Sequence, residues 1–82
     1  MKVWIVEVGT THEGGSVVSV HAGVVSAGNA AIKQRCLERP EIAETARGDS
    51  ETAWDYTYDH AKDRMVWIHK STYVAVQGWE VA

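Results

Sequence analysis

The feature that most restricts what this chain can fold into is the alternation in residues 53–81. Trp54, Tyr56 and Tyr58 recur at every second position between Ala53, Asp55, Thr57 and Asp59, the period of a half-buried strand. After a polar turn at 60–63 comes Met65-Val66-Trp67-Ile68-His69, apolar at nearly every position and therefore read as a central strand covered on both sides. Lys70, Ser71 and Thr72 make the next turn, and Tyr73-Val74-Ala75-Val76 continues through Gln77-Gly78 to Trp79-Glu80-Val81. A glycine inside a strand pattern marks a bulge, so the last strand is expected to bend at Gly78. The stretch reads as a three-stranded meander, and it holds three of the four tryptophans and all three tyrosines.

The preceding residues supply a strand pair and a helix. Lys2-Val3-Trp4-Ile5-Val6-Glu7-Val8 is apolar on both faces until Glu7, as in a strand interior to a sheet. Residues 9–15 form a turn-rich loop, and 16–22 resume the two-residue period, which predicts a β-hairpin with a long loop. Gly14-Gly15 lacks the Lys and Ser of a phosphate loop. Ser26 is read as the N-cap of a helix over 27–39. At ~100° per residue, Ile32, Cys36, Asn29, Lys33, Leu37 and Ala30 share the side taken as inward, and Ala31, Arg35, Gln34 and Glu38 the other. Pro40 ends or kinks this helix, and 40–47 read as a second short helix with Gly48 just past its end.

The element order ββα(α)βββ defines one α+β domain over 1–82, an antiparallel sheet of about five strands with one main helix on one face. A single helix covers one sheet face and not both. The second face is therefore wet, paired with another copy, or used. Large aromatics are expected on it, because Trp54, Tyr56, Tyr58, Met65, Trp67 and His69 cannot all point at one helix. Met65, Trp67 and His69 are its candidate residues, and a homodimer through this face is one expectation.

Charge narrows the partners. The net charge is −3, and the acids are uneven: residues 41–63 hold seven acids against Arg47 and Lys62, while the rest holds four acids and six bases. Nucleic acid and anionic membrane call for a basic stripe that this chain lacks, so neither is expected as a direct partner. The first eight residues hold a short apolar run containing Glu7, unlike a secretory signal or a membrane span, and the lone Cys36 excludes an internal disulfide. A cytoplasmic protein is the expectation.

The sequence offers little chemistry. His12, His21, His60 and His69 form no i, i+4 pair, and no Cys-x-x-Cys occurs, so no metal or other cofactor is expected. Cys36, on the side taken as inward, is read as an inert buried thiol. No catalytic residue is assigned. Acids on a turn-rich stretch are most often a solvated surface. The sharper reading joins Glu41, Glu44, Asp49, Glu51, Asp55 and Asp59 to Trp54, Tyr56 and Tyr58 as a surface that meets a basic protein, with the aromatic rings as anchors.

The opening Lys2-Val3-Trp4-Ile5-Val6, the passage Val20-His21-Ala22-Gly23 to Ser26-Ala27-Gly28-Asn29-Ala30, and the closing Gly78-Trp79-Glu80-Val81 resemble small phage and mobile-element proteins. In size and acidity the chain is similar to anti-CRISPR inhibitors. That resemblance implies a stoichiometric protein binder that covers a basic nucleic-acid site, for instance on a host nucleoprotein complex. It is a likeness of layout and assigns no residue a role.

Overall fold

The computed structural model describes residues 1–42 and 53–81. In chain order these form β1 (Lys2–Thr10), β2 (Gly14–His21), α1 (Val24–Glu38), β3 (Asp55–Asp59), β4 (Arg64–His69) and β5 (Thr72–Glu80). The strands make one five-stranded sheet in the order β2-β1-β5-β4-β3, antiparallel throughout, with α1 packed against it. This is the α+β architecture that the alternating periods imply. β1 is interior, as its two apolar faces require, and β3-β4-β5 is the meander.

The first hairpin is tighter than its glycine-rich composition suggests. Three residues, Thr11, His12 and Glu13, turn the chain between β1 and β2. The Glu13 N–H donates to Thr10 Oγ1 at 3.1 Å, and the Thr11 N–H donates to the Ser71 carbonyl at 2.8 Å. Gly14 takes a φ of 79°, where a side chain would be strained. Gly9 serves a different end. A Cβ there would lie 2.3 Å from the Gly14 carbonyl oxygen and 2.4 Å from the Gly15 Cα. The glycines thus extend both strands instead of ending them.

The bulge lies elsewhere than expected. β1 and β5 pair without a break from Lys2↔Glu80 to Thr10↔Thr72, straight through Gly78. Gly78 instead makes room for neighbours: a Cβ would lie 2.5 Å from Lys2 Cε and 3.0 Å from Trp4 Cζ3. The register shift falls between β1 and β2, where Val6 faces Ser19 and Glu7 faces Val17, leaving Val18 as the extra residue.

The helix also differs from its reading. It starts at Val24 with Gly23 as N-cap and no side-chain cap, and Ser26 binds His21 instead of capping. Its buried residues are Ala27, Ala31 and Arg35, while Ile32, Leu37 and Cys36 are exposed. Ala31 and Arg35, read as outward, thus face the sheet; of the residues read as inward only Ala30 packs against the core, and Cys36 is a surface thiol. The reason is steric. Val6, Val74 and Val76, with Trp4, Val8, Met65 and Trp67 around them, already fill the sheet surface. Only alanines let the helix settle onto it. Arg35, 5% exposed, lays its guanidinium over the Trp67 ring at 4.1 Å, so its flat head serves as core packing. Past α1, Pro40 and Glu41 form a turn; the rest of the expected second helix lies outside the described residues.

Two outcomes follow. Gly9→Ala is expected to destabilise the fold by roughly 2 kcal/mol or more, because the obstruction is backbone on a paired strand. Arg35→Ala is expected to cost about 2–3 kcal/mol, with Arg35→Lys recovering part of it. Chemical denaturation with tryptophan fluorescence reads both.

Candidate functional site

β3 is one edge of the sheet, and all five of its residues are exposed. Directly opposed residues of an antiparallel pair share a face. Tyr56 opposes Trp67 and Tyr58 opposes Met65, which puts both tyrosines on the α1 side. α1 packs on β5, β1 and β2, so the described part of the β4-β3 half projects beyond it. Tyr56 and Tyr58 are accordingly 52% and 39% exposed. Tyr56 leans on Trp67 with ring centroids 5.2 Å apart, Tyr58 meets His60 edge-on at 4.6 Å, and Trp54, half-buried, meets His69 at 6.1 Å.

The acids of β3 lie on the opposite side. Asp55 opposes Ile68 and Asp59 opposes Arg64, both on the face away from α1. Asp59 Oδ1 accepts from the Ala61 and Lys62 N–H groups at 3.0 and 3.3 Å, which sets the turn into β4. Neither Asp55 nor Asp59 has an ion-pair partner among the described residues. Glu41 is exposed in the turn past α1; Glu44, Asp49 and Glu51 lie outside the described residues. The expected acidic and aromatic groups thus share one strand but stand on its two sides.

Asp63 differs from its acidic neighbours. It accepts from Lys2 Nζ and from the Tyr58 hydroxyl, and the hydrogen bond from Lys2 is the main reason its carboxyl sits below its ordinary 3.8. Tyr58 is pushed up from 10.0 chiefly because its hydroxyl donates to Asp63. The pair holds Tyr58 in place at the rim of the aromatic patch.

Met65, Trp67 and His69 do not lie on the uncovered face. They oppose Val76, Val74 and Thr72, and the pleat points them toward α1, where Met65 and Trp67 join the core and His69 is 6% exposed. The face that no described element covers carries Val3, Ile5, Val66, Ile68 and Ala75, with Trp79 half-exposed at one end. At its centre is a polar group unforeseen in the sequence. Glu7 accepts from Arg64 Nη1 at 3.1 Å and from the Tyr73 hydroxyl at 2.6 Å, and Arg64 Nη1 also donates to Gln77 Oε1 at 3.0 Å. Burial, then the bond to Glu7, push the Tyr73 hydroxyl above 10.0. Glu7, the one charge inside an otherwise apolar strand, was the available signal.

His21 lies between two hydroxyls, Ser19 Oγ at 2.7 Å from Nε2 and Ser26 Oγ at 2.7 Å from Nδ1. This ties β2 to the first turn of α1 beside a shallow cleft lined also by Val25, Asn29, Ala30 and Lys33. Among the described residues, no three His, Cys, Asp or Glu side chains converge as metal ligands, and no helix is long and apolar enough to cross a membrane. Comparison with known proteins finds no matching family model, curated protein or solved structure.

The lowered Asp63 carboxyl fixes a pH dependence. A group whose folded pKa is depressed stabilises the fold above its unfolded pKa, and loses that contribution as pH falls through the folded value. Wild type is therefore expected to lose stability relative to Asp63→Asn below about pH 4. An NMR titration of the Asp63 carboxyl should show a midpoint below the ordinary one.

Proposed function

We propose that this chain is a non-enzymatic protein-binding module that docks its β3 edge on a basic surface of a partner protein. The observation that supports this is the makeup of that strand. Five exposed residues present two tyrosines on one side and two carboxylates without an ion-pair partner among the described residues on the other. Between them runs an edge whose outward N–H and C=O groups pair with no described strand. A partner strand laid along it would gain main-chain hydrogen bonds, while lysines or arginines met Asp55 and Asp59 and the Tyr56 and Tyr58 rings served as anchors. Trp67 supports the Tyr56 ring from behind, while Trp54 packs against the core. A narrower form of the proposal, a cytoplasmic phage-type inhibitor covering the basic site of a host nucleoprotein complex in the manner of anti-CRISPR proteins, rests on the likeness of layout.

Affinity capture from a native-host lysate, followed by binding measurements on the isolated partner, tests the reading. Asp55→Lys with Asp59→Lys should weaken binding on the order of 10–100-fold and remove its salt dependence, and Tyr56→Ala should weaken it by a comparable factor. Binding that survives all three changes in a folded protein, or a partner without a basic surface, would overturn the assignment.

A further inference from the structure

We propose that the opposite edge, β2, is a self-association surface: two copies pair their β2 strands antiparallel about a two-fold axis, making one sheet continuous across both. The two edges are unlike. β3 is five residues long and carries Asp55 and Asp59, so pairing it with itself would crowd like charges. β2 is eight residues long, Gly-Gly-Ser-Val-Val-Ser-Val-His, with no Asp, Glu, Lys, Arg or Pro. Natural edge strands are ordinarily blunted by charge, proline or shortness, and β2 has none of these protections.

Exposed apolar side chains gather at this edge. Among the described residues, five of the twelve exposed large hydrophobics are Val17, Val18, Val20, Val24 and Val25, on β2 and the start of α1. Val17 and Val20 stand on the face away from α1 and Val24 and Val25 on α1 itself, so exposed apolar side chains flank this edge on both sides.

The Val18 bulge, which would twist a regular edge out of register, makes this one self-complementary. Ser16 and Ser19, opposite Val8 and Val6, both face α1; Gly15 and Val20, opposite Gly9 and Ile5, both face away. An axis passing between Val17 and Val18 therefore sets Ser16 against Ser19 of the second copy, Gly15 against Val20 and Gly14 against His21, each pair on a matching face. Gly15 and Gly14 leave room for Val20 and His21, serine meets serine, valine meets valine, and no charge opposes another. A charged partner gains nothing from this edge, whereas a second copy matches it.

A strand of eight residues is ~27 Å long. With Val24 and Val25 beside it, the contact is on the order of 1,000 Å² over both copies, the lower limit of a specific interface. Dimerisation is therefore expected to depend on concentration. It leaves both β3 edges outward, so it stands or falls independently of the docking proposed above.

Sedimentation velocity over roughly 10–500 µM tests it, a range suited to a small interface. Wild type should pass from 9.0 kDa to twice that mass. Val18→Lys and Val20→Lys should each weaken association at least about tenfold, and Thr57→Lys on β3 should leave it unchanged. Hydrogen exchange on wild type gives a readout that no substitution can disturb: the outward β2 amides should gain protection as concentration rises. A chain that stays monomeric over the range, a dimer unmoved by the lysines in a folded protein, concentration-dependent protection at β3 instead of β2, or growth beyond a dimer would each overturn the proposal.

Discussion

The close seat of α1 on the sheet is the contact from which the rest of the molecule follows. Ala27 and Ala31 meet Val6, Val74 and Val76, all fully buried, and larger residues at those helix positions would lift α1 off β1 and β5. A helix of fifteen residues is ~22 Å long, and five strands spaced ~4.8 Å apart are about as wide. α1 lies over β2, β1 and β5, and Arg35 over Trp67 extends its cover toward β4. A guanidinium suits that place because its flat face stacks on the indole ring.

The two edges of the sheet and the face away from α1 differ in character. β3 is short, charged and aromatic, an edge suited to a chosen partner. β2 is long, uncharged and rich in valine, an edge guarded by neither charge, proline nor shortness. Between them the face that no described element covers is apolar around the bonded set of Glu7, Arg64, Tyr73 and Gln77, which links β1, β4 and β5. Bonded polar groups of this kind help fix register in a small sheet, where a one-residue slip would otherwise exchange its two faces.

The strands were legible because their signal, a two-residue period with aromatic and β-branched residues, needs no knowledge of what lies above them. The interior place of β1 was legible for the same reason. The helix orientation was not: hydropathy favours Ile32 and Leu37 over Ala27, Ala31 and Arg35, and only the bulk of the valines and tryptophans beneath reverses that choice. Parity misled the reading of Met65, Trp67 and His69. Their strand is apolar on both sides, so alternation alone cannot say which half faces the helix, and the pairing with Val74 and Val76 decides it. The glycines of the first hairpin looked like loop until their close approach to the facing backbone was visible. Of the candidate docking residues, β3 was found from its alternation, while β2 escaped notice because an absence of charge is a quieter signal than a cluster of it.

The central claim is that one helical layer covers one side of this sheet and that no described element covers the other. A soluble paramagnetic probe read by NMR in dilute solution measures this residue by residue. Relaxation enhancement should be strong at Val20 and Trp79 and weak at Val6, Val74 and Val76. Equal shielding of the two sets would contradict it, since a sheet sealed on both sides offers no open face.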